Sequence, residues 1–203
     1  TVFLGRRPTA HEYEPAYNPE PQYRLPTPFL TEDQTVRIRD AASADRPRCA
    51  VLDCTFEYSE HQTSKVLAQR IADLTRAALL QVKTGQASIL LLSDKMAMVK
   101  PFAGVDGGAP EQKPRLPLPM ILAVSAVHNA LVAEGRRRHA SLVVETGEVQ
   151  EGHDAAVLIA NGADAIHPHL FLQICLAHFK PGEGNGKDAI TNGLAGLMEC
   201  VKR

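Results

Sequence analysis

From Arg48 onward the chain alternates between two rhythms of apolar and polar positions. Short unbroken apolar runs (CAVLDCTF, SILLLSD, ASLVVETG and ADAIHPH) read as strands buried on both faces. They end in Asp53-Cys54-Thr55, Ser93-Asp94, Glu145-Thr146-Gly147 and His167-Pro168-His169. Longer segments between them carry apolar residues three and four apart, the spacing of one helical face. The first holds Val66, Leu67, Ile71, Leu74, Ala78 and Val82 and closes at Gly85. The second, PLPMILAVSAVHNALVAEG, is opened by proline and closed by Gly135. The third, EVQEGHDAAVLIANG, closes at Gly162 and places Glu148 and Glu151 in its first turn. LFLQICLAHF and a segment from about Lys187 to Val201 read as two further helices.

Strands and helices in that alternation predict an α/β fold, with a parallel sheet covered by helices. Four right-handed units form either an open sheet or half of a β/α barrel. The half barrel is the expected form, since a complete one needs about 250 residues and this chain has 203. Residues 1–45 read differently. Pro8, Pro15, Pro19, Pro21, Pro26 and Pro28 predict an extended arm lying over a surface. Thr31 and Gln34 then form a capping-box pattern that starts a short helix reaching about Ala42. The expected division is therefore an arm with a short helix at 1–45 and an α/β domain at 46–203. One connection breaks the rhythm. Residues 95–116 exceed the usual 2 to 6 residues between strand and helix, as a lid, a partner contact or an insertion would. Gly104, Gly107 and Gly108 there lack the Lys-Ser/Thr of a phosphate loop.

Composition narrows the function classes. With 22 Lys and Arg against 23 Asp and Glu, the net charge of -1 gives no reason to expect nucleic acid or an anionic membrane as partner. The basic run Arg136-Arg137-Arg138-His139 follows a helix end, where cations complement the dipole. Four scattered cysteines form no C-x-x-C pair, which fits reduced thiols in a cytoplasmic protein. No apolar run approaches the roughly 20 residues of a membrane span, and the first residues lack the pattern of a secretory signal. The chain begins at Thr1, which fits a fragment or processed product.

Ligands of β/α folds bind at the carboxyl ends of the strands. The candidates placed there are Asp53, Asp94, Glu145, His167 and His169. Three acids and two histidines on one rim can bind a divalent metal or act as general acid and base. The same acids can instead cap and hydrogen-bond neighbouring loops, and that structural role is the one favoured. His167 and His169 lack a third ligand at a fixed spacing, so no metal is assigned. His128 and His153 border apolar helix faces and read as packing or inter-domain contacts. Thr1 as a nucleophile lacks the flanking strand such a residue needs.

The order ILLLSD, LPMILAVSAVHNALVAEGRRRHASLVVETGE and EGHDAAVLIANGADAIHPHL, with LPTPFL and VLDCTF upstream and AITNGLAGLMECVKR at the end, resembles the central domain of the glutamate synthase large subunit. Departures exist. His128-Asn129-Ala130 stands where the family has a run of histidines, His153-Asp154 where it has a histidine pair, and His167-Pro168-His169 where it has Asn-Pro-Tyr. They point to a diverged or stand-alone relative. The resemblance implies a domain without flavin or iron–sulfur cluster, set between amidotransferase and flavin modules and walling the ammonia channel between them. It implies a supporting part in glutamate biosynthesis and no cofactor, so that any enzymatic label would belong to the larger oxidoreductase. Two alternatives stay open: a stand-alone protein that self-associates or binds a partner, and a small-molecule or metal-dependent enzyme using the acidic rim.

Overall fold

Every residue of Ile89–Ser93 and Ser141–Glu145 is buried, as an unbroken apolar run demands of a strand covered on both faces. The computed structural model describes residues 1–8, 21–40, 46–58, 64–98, 115–178 and 186–202. In chain order its elements are β1 (Val2–Leu4), β2 (Tyr23–Leu25), α1 (Glu32–Arg39), β3 (Cys49–Asp53), β4 (Thr55–Glu57), α2 (Ser64–Lys83), β5 (Ile89–Ser93), β6 (Arg115–Pro117), α3 (Met120–Ala133), β7 (Ser141–Glu145), α4 (Gly152–Ala160), β8 (Ala165–His167), α5 (His169–Ala177) and α6 (Gly186–Lys202). Short 3₁₀ turns occupy Lys95–Met98 and Arg137–His139.

β3, β5, β7 and β8 form one parallel sheet in that order, with Cys49 opposite Ile89, Ile89 opposite Ser141, and Val143 opposite Ala165. Sequential order decides between the two expected architectures. Right-handed crossovers that always step the same way leave their helices on one face, the arrangement of a barrel segment; a doubly wound sheet reverses direction and covers both. The packing agrees. Leu90, Leu92, Leu142, Val144 and Ile166 point into one core with Leu74 and Ala78 of α2, Val124 and Val127 of α3, and Leu158 of α4.

The other face is closed by the arm. Ile89, Leu91, Val143 and Ala165 pack against Leu4, Leu25, Leu30 and Ile38. Four backbone anchors hold the arm there: Gly5 N–H donates to Ser141 Oγ (3.0 Å), Arg7 N–H to the Arg138 carbonyl (2.8 Å), Leu30 N–H to the Ile166 carbonyl (2.8 Å), and Ile166 N–H to the Pro28 carbonyl (2.8 Å). β1 and β2 pair antiparallel. Residues 9–20, with Pro15 and Pro19 of the expected arm, lie outside the described residues. The capping box at Thr31 is present, with Gln34 N–H donating to Thr31 Oγ1 and Thr31 N–H to Gln34 Oε1.

Three local expectations change. The run CAVLDCTF is two strands, because β4 leaves the main sheet after Cys54 and pairs antiparallel with β6, Thr55 opposite Pro117. α4 begins at Gly152, not Glu148: Glu148 turns away to accept the Met120 N–H at 3.1 and 3.0 Å, capping α3, while Asp154 accepts from the Gln150 and Glu151 N–H groups. With that start, Ala155 and Leu158 take the buried stripe and His153 faces solvent. Of the long connection 95–116, residues 99–114 lie outside the described residues.

Candidate functional site

The strand ends converge on a buried polar rim. Ser93, Asp94, Glu145, Thr146, His167 and His169 are each at most 5% exposed, so each needs a partner inside the protein or carries a desolvation penalty. Asp94 is one node. Its carboxylate accepts from Thr146 Oγ1 (2.5 Å), from Gly147 N–H (3.2 and 3.1 Å) and from His169 Nε2 (2.9 Å). The Asp94 N–H in turn donates to the Glu145 carbonyl at 3.1 Å. Accepting from Nε2 places the His169 proton on that nitrogen. Nδ1 is then a buried lone pair, without a hydrogen-bond partner among the described residues.

Glu145 is the second node. Arg39 Nη2 donates to both of its oxygens at 2.8 and 2.9 Å, Ser93 Oγ donates at 2.5 Å, and Lys95 Nζ lies 3.7 Å away. Lys95 also holds Glu32 at 2.7 Å. His167 completes the chain of contacts, with Nδ1 2.9 Å from the Leu30 carbonyl and Nε2 2.8 Å from Glu32 Oε2. A carbonyl only accepts, so Nδ1 carries a proton. Burial pushes the Glu32 carboxyl up, but the hydrogen bonds from Lys95 and His167 outweigh it and hold it below the usual carboxylate range.

Glu32, Glu145 and His167 present ligand-type atoms within 4.8 Å of one another. Both carboxylates already have cationic partners. Arg39 and Lys95 bring two positive charges to the two carboxylates, which is the charge a divalent ion would supply. The arrangement is an ion-pair network that ties α1 to the sheet.

The remaining candidates separate from this rim. Asp53 accepts from Thr55 N–H (3.0 Å), Thr55 Oγ1 (2.6 Å) and Arg115 Nη2 (2.5 Å), fastening β3 to the β4–β6 ribbon. Among the described residues no hydrogen bond or ion pair joins it to the other four. His128 accepts from Arg137 Nε at 3.0 Å, and Arg137 also reaches the Ala140 and Gly162 carbonyls and Asp164. The basic run therefore clamps loops together, beyond any service to the helix dipole. Burial pushes the Glu148 carboxyl up, against the Met120 N–H and with Asp94 and Asp154 adding to the rise. Burial likewise pushes the Cys49 thiol to about 12 and raises those of Cys54 and Cys175, which makes all three poor nucleophiles.

Sequence reasoning located Asp94, Glu145, His167 and His169 on the rim but missed Glu32, Arg39 and Lys95, which hold two of them. Glu145 and Arg39 are 106 positions apart. The capping pair at Thr31 and Gln34 signalled the helix that carries Glu32 and Arg39, but not what those residues would meet.

Residues 1–201 match the family described as Glutamate synthase central domain. The "Glutamate synthase (NADPH) large chain" of Bacillus subtilis (strain 168) is 33% identical over 148 residues, 72% of this chain and 8% of that protein. The "Ferredoxin-dependent glutamate synthase, chloroplastic" of Spinacia oleracea is 30% identical over 174 residues, 86% of this chain and 10% of its own length. The "Glutamate synthase (NADH)" of Schizosaccharomyces pombe is 30% identical over 191 residues, covering 86% and 8%. The chain thus spans about a tenth of the length of the curated relatives it matches. Among solved structures, a flavocytochrome b2 variant with sulfite bound aligns over 85% of this chain and 34% of its own at 12% identity and a TM-score of 0.43, too slight a likeness to carry an argument. No helix among the described residues is long and apolar enough to cross a membrane.

Proposed function

Because the chain belongs to the glutamate synthase central domain family, we propose that it is a non-catalytic structural domain of a glutamate synthase assembly, seated between an amidotransferase module and a flavin module and walling the path of ammonia between them. One observation carries this reading. The rim where a β/α protein would hold its substrate is committed to internal contacts: Glu145 to Arg39 and Ser93, Asp94 to Thr146, Gly147 and His169, and His167 to Leu30 and Glu32. A general acid or base needs an open site beside it and a proton free to move. Here the arm and α1 stand in that place, and each carboxylate is pinned by several donors.

The relatives' length supports the same reading. A segment amounting to 8–10% of a large chain is one part of a longer polypeptide with other parts beside it. Exposed apolar side chains on α3 (Ile121, Leu122, Val132) and α5 (Ile174, Leu176) fit a domain with neighbours. A second reading, self-association, draws on the β3 edge, where Val51 is 49% exposed, whereas the β8 edge is bridged by Phe29.

The test is transfer efficiency. Amidotransferase and flavin modules supplied as separate polypeptides are mixed with and without this chain, in the presence of an ammonia scavenger. Glutamate formed per glutamine hydrolysed rises from one, the glutamate that hydrolysis itself releases, towards two when the chain is present. An unchanged ratio would overturn the channel-wall role.

A further inference from the structure

The end of the sheet opposite the rim holds a feature of different chemistry. Where β3, β5 and β7 begin, a cavity of about 380 Å³ opens between the arm, the end of α2 and the turn after α3. Arg6, Arg46, Arg48, Lys83, Arg136 and His139 line it, and no Asp or Glu is among its described lining residues. These six come from four separate stretches of chain, so only the fold assembles them. In a protein of net charge -1, Glu134 pairs with Lys83 and lies near Arg136 at the opening, and a bound anion would relieve the repulsion among the guanidiniums gathered there.

The cations are held in place. Arg48 Nη2 donates to the Gly85 carbonyl at 2.6 Å, Arg136 Nη1 lies 3.4 Å from His139 Nδ1, and Lys83 is paired with Glu134 at 2.7 Å beside the opening. Each anchored guanidinium retains further N–H donors, because one fork carries five. Guanidinium forks match the geometry of phosphate oxygens, and a volume of this size suits a small molecule. The site lies at the end of the sheet opposite the rim, where the strands begin.

We infer that this cavity binds a small molecule carrying two or more phosphate-type groups. The arginines engage the terminal oxygens, and Lys83 exchanges its contact with Glu134 for one with the ligand. Phosphates of this kind occur on free metabolites and on lipid headgroups, and the test separates them.

Thermal unfolding of the 203-residue chain is followed with inorganic pyrophosphate, citrate, or sodium chloride at matched ionic strength. Pyrophosphate at ten times its Kd raises the midpoint by about 3–6 °C. The R46S/R136S double variant loses the shift, whereas K65S/R76S, which removes the same charge from α2 away from the cavity, keeps it. Line broadening of the pyrophosphate ³¹P resonance by the unaltered chain gives a readout that needs no variant. Sedimentation with vesicles containing a phosphoinositide, against free inositol phosphate, decides the source: pelleting that R46S/R136S abolishes assigns the headgroup, and binding of the free ligand alone assigns a metabolite. An equal shift with sodium chloride, or a shift that R46S/R136S retains, overturns the site. A citrate shift as large as that of pyrophosphate and lost in the same variant overturns the phosphate assignment.

Discussion

At Gly162 the backbone turns with φ 115°, and a Cβ there would lie 2.2 Å from His128 Nδ1. Side-chain-bearing residues rarely adopt that conformation, so both strain and collision oppose substitution. Gly162→Ala is expected to cost about 2–4 kcal/mol in urea unfolding; a loss under half a kcal/mol would show that the His128 ring is free to move. His128 itself is a pH reporter. Burial first, and then the Arg137 guanidinium, hold its imidazole below the ordinary value of 6.5. A folded-state value below the unfolded one means stability is full above about pH 6.5 and is lost as pH falls through the folded-state value. Between pH 7.5 and 5.5 the unaltered chain should therefore lose stability relative to His128→Gln, which keeps an acceptor for Arg137 but does not titrate. Parallel pH profiles for the two proteins would contradict this.

At the scale of elements, α1 is tied to the sheet by charge as well as by Ile38. Arg39 is 31% exposed and Glu145 only 1%, so removing the arginine strands a buried carboxylate. Arg39→Met is expected to cost about 2–3 kcal/mol, below the 3–5 of a fully buried pair because Ser93 and Lys95 remain. The double variant with Glu145→Gln should recover part of that loss, and a denaturant double-mutant cycle measures the coupling. Strictly additive costs would show that the two groups act separately. Much of this scale was readable in advance. The periodicity of Val66 to Val82 and the Thr31–Gln34 capping pair are local signals, and local signals survive in a single sequence. β1, β2 and β6 were not read as strands and β4 was not separated from β3, since each lacks a buried apolar run of its own and gains its identity from a distant partner, whereas the equally short β8 sits in the apolar run ADAI. Residue pairs such as Glu57 with Arg115 leave no periodic trace.

For the whole molecule, unbroken apolar strands announced covered faces, which holds for β5 and β7 but not for the edge strand β3, where Val51 is 49% exposed; what covers them was not announced. Helices cover one face, as the β/α alternation implied. The other face, turned inward in a barrel, is filled by Leu4, Leu25 and Leu30 from the arm, whose prolines suggested a surface strap, and by Ile38 of α1. Fully burying a leucine contributes about 1.5–3 kcal/mol, so the arm is part of the core. Leu4→Ala should cost about 2–4 kcal/mol and lower the unfolding midpoint in a single transition; an early separate transition would mark the arm as detachable. The same filling explains why the rim is closed, with α1 and its charges standing over the strand ends. The basic cavity was equally illegible, because Arg6, Arg46, Arg48 and Arg136 are neighbours only after folding.

The proposed supporting role requires that the chain find its neighbours. Analytical ultracentrifugation of the chain mixed with separately expressed amidotransferase and flavin modules of a glutamate synthase reads that directly. The expected result is a new species whose mass is the sum of the three, formed at the expense of the free chain. A chain that sediments unchanged beside both modules, or only as copies of itself, would contradict the assignment.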